Sequence, residues 1–178
     1  VISGSGGLMV EFLDTSATTG DVYLAWTNLV SAPNTYRGGT VVKGVSGNTR
    51  SLVLNKNGAA GTGNITFSNA FARLTITDGG ATDDRIANTA SVYMVSSVTN
   101  YAKLLLNSGV NETIGKLYLN GAEQATGTWG SGTSGAANTN DDWFVGTGVL
   151  MVTGDSGGGI APSPGDVEQL QIGRGAEY

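Results

Sequence analysis

The residues of this chain that could do chemistry are few, and the sharpest group is Gly154-Asp155-Ser156-Gly157-Gly158, a setting in which a nucleophilic serine could sit. A serine nucleophile of that kind needs an imidazole within hydrogen-bond reach to take its proton, and the 178 residues contain no His. Ser156 has no such base, and the motif lies in a Gly/Pro-rich stretch rather than on a strand pair. Carboxylates are the remaining catalytic stock: Asp83 with Asp84, Asp141 with Asp142, and the single residues Glu11, Asp14, Glu112 and Glu123. General acid and base must flank one substrate bond. No spacing here places two carboxyl groups on one face, so they read as solvated turn acids and the chain reads as a non-enzyme without catalytic residues.

Binding chemistry has more material. Asp83 and Asp84, together with Asn140, Asp141 and Asp142, supply the carboxylate and amide oxygens that a hard cation such as calcium takes, although no EF-hand or nonapeptide pattern is present. Zinc and iron find no ligands, because Cys and His are both absent. No cofactor is therefore expected, with calcium the one metal that the donors could serve. Trp129, Trp143 and Tyr118, with Tyr36, could stack on sugar rings, although the plainer reading of Trp129, Trp143 and Phe144 is that they plug or cover the last coils of a core. Asn64-Ile65-Thr66 and Asn111-Glu112-Thr113 have the form of glycan acceptors, and turn Asn is the plainer reading of each.

The elements that must position these groups are written as short apolar pulses. LVLN at 52–55, ITFS at 65–68, LTIT at 74–77, LLLN at 104–107, LYLN at 117–120 and LMVT at 150–153 are each too short for a helix and each closed by a small polar residue. Further strands are expected at Leu8–Leu13, Val22–Thr27, Thr40–Val42 and in the terminal VEQLQIG segment. In the first of these, Leu8, Val10 and Phe12 alternate with Met9 and Glu11, so one face is buried and the other wet. Brief strands that recur with Gly-rich turns predict an all-β β-solenoid of parallel stacked coils, with about two strands per repeat of roughly 20 to 29 residues. An antiparallel jelly-roll sandwich uses the same composition and is the alternative fold.

Composition bounds the rest. Gly occurs 29 times, Pro 3 times, and charged residues make up 13% of the chain, which favours tight turns over solvated helices. A formal net charge of -5 without a basic block argues against nucleic-acid partners, and no apolar run is long enough to insert this chain in a bilayer as a helix. The reading divides the chain into a body over 1–153, carrying a Trp-containing closing loop at 121–148, and a 154–178 segment made of a linker and a strand-like tail.

Four segments carry a family likeness: ISGSGGL at 2–8, NTYRGGTVVKG at 34–44, DRIANTASV at 84–92 and NETIGKLYLNG at 111–121. They resemble the repeats of bacterial autotransporter-associated β-strand proteins, and GTWGSGTSGAANTNDDWFVGTGVLMV is similar to the stretch that closes such arrays. The resemblance implies an exported, surface-located right-handed parallel β-helix used as passenger, stalk or adhesin. The expected function is thus an extracellular or cell-surface structural or adhesive protein. Its expected partners are copies of itself in a head-to-tail filament, and extracellular polysaccharide. A solenoid leaves an open strand edge at each end. The joint is accordingly expected at the terminal strands, through Val1, Leu8, Val10 and Phe12 at one end and Val167, Leu170 and Ile172 at the other. A carbohydrate-binding surface module using the aromatic residues is the alternative function.

Overall fold

A computed structural model describes residues 1–13, 21–24, 33–77, 84–155 and 167–172. All of its regular elements are strands: β1 (Gly7–Phe12), β2 (Val22–Leu24), β3 (Thr40–Lys43), β4 (Leu52–Leu54), β5 (Ile65–Phe67), β6 (Arg73–Ile76), β7 (Ser91–Met94), β8 (Lys103–Leu106), β9 (Asn111–Ile114), β10 (Lys116–Leu119), β11 (Ala122–Glu123), β12 (Gly127–Gly130), β13 (Asn138–Thr139), β14 (Phe144–Val145), β15 (Val149–Val152) and β16 (Val167–Ile172). Each apolar pulse lies on one of them. β1 is buried at Leu8, Val10 and Phe12 and half-buried at Met9 and Glu11, as period-two alternation requires. The part of the expected Val22–Thr27 strand beyond Leu24 lies outside the described residues.

The strands form three sheets, ordered β11-β10-β7-β5-β3-β1-β16, β14-β8-β6-β4-β2 and β13-β12-β15-β9. Between β3 and β8 the chain delivers its strands to the first two sheets largely in turn, and equivalent residues stack. Val42 lies beside Val10 and Phe67, while Leu74 lies beside Leu52 and Leu104. The inward side chains of all three sheets meet in one core that includes Phe67, Ile76, Leu104, Phe144 and Leu150. Burial of each such side chain favours folding by roughly 1.5–3 kcal/mol.

This architecture corrects the expected right-handed parallel β-helix. The strands fall into three separate sheets, and parallel pairs are mixed with antiparallel ones, β10 with β11 and β12 with β15. The physical reason lies at Asn120-Gly121, where φ is 50° and 80°. Two successive residues with positive φ make the tight turn that reverses a chain into a hairpin, which Asn-Gly favours. The strand after β10 therefore folds back on it, and the chain goes on into the third sheet. The jelly-roll alternative fails for the opposite reason, because the pairs that build the two larger sheets are parallel apart from β10–β11. Residues 121–148, expected as a loop, carry the short strands β11 to β14.

Candidate functional site

The terminal strands meet each other. β16 lies parallel to β1 along its whole length, in the register Gly7↔Val167, Val10↔Leu170 and Phe12↔Ile172, while the other edge of β1 pairs with β3. Leu8, Val10 and Phe12 point into the core, so the seam between β1 and β16 is made by main-chain groups and its register is set by the buried face of β1. Val1 stands apart from the seam and is 71% exposed.

The route into β16 starts at the far end of the same sheet. Thr153 N donates to Ile114 O at 3.1 Å and Gly154 N to Gly115 O at 2.8 Å, which fixes the chain beside the start of β10. From β10 to β16 the sheet crosses five strand spacings, about 24 Å at ~4.8 Å each. The twelve Cα steps from Asp155 to Val167 reach at most about 40 Å. The tether is long enough to fold back, and it begins at the end opposite to the strand that β16 covers. Ser156, Gly157 and Gly158 of the serine motif, and Asp83, lie outside the described residues.

The aromatic candidates are placed separately. Trp143 is 5% exposed and meets Tyr101 edge to face at 5.2 Å, and Phe144 beside it is fully buried. Trp129 is half-buried against Phe144, its indole N–H donating to Ala125 O at 2.9 Å. Tyr118 lies on the outer face of the first sheet, stacked on Tyr93 at 4.7 Å, with its hydroxyl donating to Glu123 at 3.0 Å. Hydrogen bonding to Glu123 holds the Lys116 ammonium above its usual range and the Glu123 carboxyl below its own. Three of the candidate calcium ligands already have partners. Asp84 sits by Asn88, Asp141 accepts from Gly132 N at 2.7 Å, and Asn140 accepts from Asp142 N at 3.0 Å. Among the described residues no group of three or more acidic side chains could hold a metal ion.

The residues that carry the family likeness have structural work. Asn34 is buried. Its Oδ1 accepts from Ile2 N and from Lys56 Nζ, and its Nδ2 donates to Ala59 O at 2.8 Å. Tyr36 is hydrogen-bonded at 2.5 Å to Thr40, whose hydroxyl donates to Ala60 O, and burial pushes the phenol up to about 12. Asn64 is buried and its Oδ1 accepts from Ser91 N at 2.8 Å, so its side chain is already used inside the fold, whereas Asn111 is exposed.

Glu112 departs from its reading as a solvated turn acid. It is 1% exposed, and its two oxygens accept from Arg85 N at 3.2 Å and Ile86 N at 2.7 Å. Burial pushes its carboxyl up to about 7, against the opposing effect of those two N–H groups and of Arg85, and the Asp84 charge adds to the rise. With Asn34, Lys56 and Arg85 it belongs to a set of polar side chains buried beside the core. Nothing in their local sequence distinguishes them from exposed turn residues. Compared with known proteins, the chain matches no family model, no curated protein and no solved structure.

Proposed function

We propose that the protein is a structural or adhesive module of the cell surface or extracellular space, without catalytic activity, that joins head to tail with copies of itself through β16. The observation that carries this reading is the seam at β1. A six-residue strand at the end of a long tether supplies the edge of β1, and the tether starts at the opposite end of the sheet. Folding back and donating to the β1 of a second copy form the same main-chain contacts. The balance between them depends on protein concentration against the effective concentration that the tether imposes. Donation is directional, since one end gives a strand and the other receives it, so the contact does not close and copies add in line. The likeness of residues 34–44 and 111–121 to surface-protein repeats supports the location.

Electron microscopy and light scattering at increasing concentration test the proposal, with the full chain beside a variant that ends before Val167. Oligomers that grow with concentration in the full chain and vanish in the shortened one are expected. Discrete monomers at every concentration, or assembly that survives the truncation, would refute strand donation.

A further inference from the structure

Two short stretches of sequence repeat a pattern: Phe71-Ala72-Arg73-Leu74 and Tyr101-Ala102-Lys103-Leu104. The structure stacks them. Arg73 opens β6 and Lys103 opens β8, in register as neighbours, with Lys103 N donating to Ala72 O at 3.0 Å. Leu74 and Leu104 are fully buried on the inner face, so the two cations leave the sheet on its outer face from backbones about 4.8 Å apart. The buried Ala residues hold the aromatic ring and the cation of each stretch two positions apart, on one side of the chain. Both pairs line a groove of about 410 Å³, together with Asn48, Asn100 and Asp142, a size within the range of small-ligand sites.

Like charges placed opposite each other across neighbouring strands oppose folding. Here they are only partly offset. Lys103 Nζ donates to Asp141 O at 2.9 Å, and burial holds its ammonium below the usual lysine range. Asp142 works against that shift, Arg73 adds to it, and Asp141 opposes it. Arg73 makes no ion pair or side-chain hydrogen bond among the described residues. The Tyr101 ring is braced by its packing at 83° to the buried Trp143. A groove lined by Arg73 and Lys103, by the Phe71 and Tyr101 side chains, and by amide and carboxylate groups has the character of a sugar site that prefers an acid.

We propose that this groove binds an acidic saccharide, with Arg73 and Lys103 taking the carboxylates of uronic-acid units, Phe71 and Tyr101 packing on the ring faces, and Asn100 and Asp142 bonding the hydroxyls. Asp142 accepts from hydroxyls, which a uronic-acid unit offers beside its carboxylate and the phosphodiester backbone of DNA does not. The site lies away from the β1–β16 seam, so it stands or falls independently of strand donation.

Isothermal calorimetry on the full chain tests it, with trigalacturonate, neutral maltotriose and a short oligothymidylate as probes. Trigalacturonate is expected to bind, more weakly as salt rises, with maltotriose and oligothymidylate giving no comparable heat. Arg73→Gln should raise the trigalacturonate Kd about tenfold, as expected for the loss of one charged hydrogen bond. The same variant should melt no lower than wild type, because Arg73 bonds to nothing that the fold needs and its charge lies opposite Lys103. Tyr101→Phe, which retains the ring, should bind nearly as wild type. An unchanged Kd in Arg73→Gln, equal binding of maltotriose, or tighter binding of oligothymidylate would each overturn the assignment.

Discussion

Replacing Glu112 by Gln should flatten the pH dependence of stability above about pH 5, and the size of the effect follows from where the carboxyl sits. Its two oxygens accept from the Arg85 and Ile86 N–H groups, and 1% exposure leaves it almost no water. The folded carboxyl titrates near 7, against 4.5 for the free group. An acid whose folded value is raised contributes stability that is complete below the unfolded value and is lost as pH rises through the folded one. The full loss is about 3 kcal/mol, of which about 2.5 kcal/mol falls between about pH 5 and about pH 8. Urea unfolding at those two pH values, for wild type and Glu112→Gln, isolates the contribution, because the two proteins differ at that carboxyl alone. The variant keeps an acceptor for Ile86 N but turns an amide N–H toward Arg85 N, so it should be the less stable protein at acid pH and approach wild type at alkaline pH. An equal fall in stability for the two proteins would refute the claim that Glu112 is buried and titrates near neutrality.

Other substitutions probe the polar contacts of the fold. Asn34→Ala removes the acceptor of Ile2 N and Lys56 Nζ and the donor to Ala59 O. It should cost about 3 kcal/mol in chemical unfolding, and adding Lys56→Met should recover part of that loss by removing the stranded ammonium. Tyr36→Phe deletes the hydroxyl bonded to Thr40 while Thr40 keeps Ala60 O, so a cost of about 1 kcal/mol is expected in the same assay. Gly39→Ala forces a side chain onto φ of +87° and sets its Cβ 2.6 Å from Asn64 O. A loss of about 2 kcal/mol or more, seen as a lower melting temperature, should result.

The legible part of the fold was the part written in apolar alternation. β1, β6 and β10 each announce themselves by Leu, Ile, Val or Phe at period two, and their buried side chains are the ones the pattern selects. β9 is harder to read because its inward residues are Glu112 and Ile114, and a carboxylate on the buried side cancels the pattern. β11, β13 and β14 have two residues each, too few for a period. Asn120-Gly121 has the composition of a hairpin turn, but the repeating pulses on either side point to uninterrupted parallel stacking, and in the structure the local turn prevails. The groove was missed for a different reason. Phe71-Ala72-Arg73 and Tyr101-Ala102-Lys103 repeat at a spacing of 30 residues, and their meaning depends on β6 and β8 being neighbours in register, which a search for catalytic clusters does not reveal.

The absence of Cys from the chain makes the most direct measurement of strand donation simple. Met9 and Gln169 are register partners on β1 and β16, so Met9→Cys and Gln169→Cys can be introduced in separate proteins, mixed after unfolding, refolded together at high concentration and oxidised. If β16 of one copy pairs with β1 of another, the mixture yields a disulfide-linked heterodimer on a non-reducing gel that neither single variant forms alone. The doubly substituted chain refolded at the same concentration then yields a ladder of linked multimers. If the doubly substituted chain gives only an internally linked monomer and the mixture gives no heterodimer at any concentration, β16 serves its own β1 alone and the head-to-tail account is wrong.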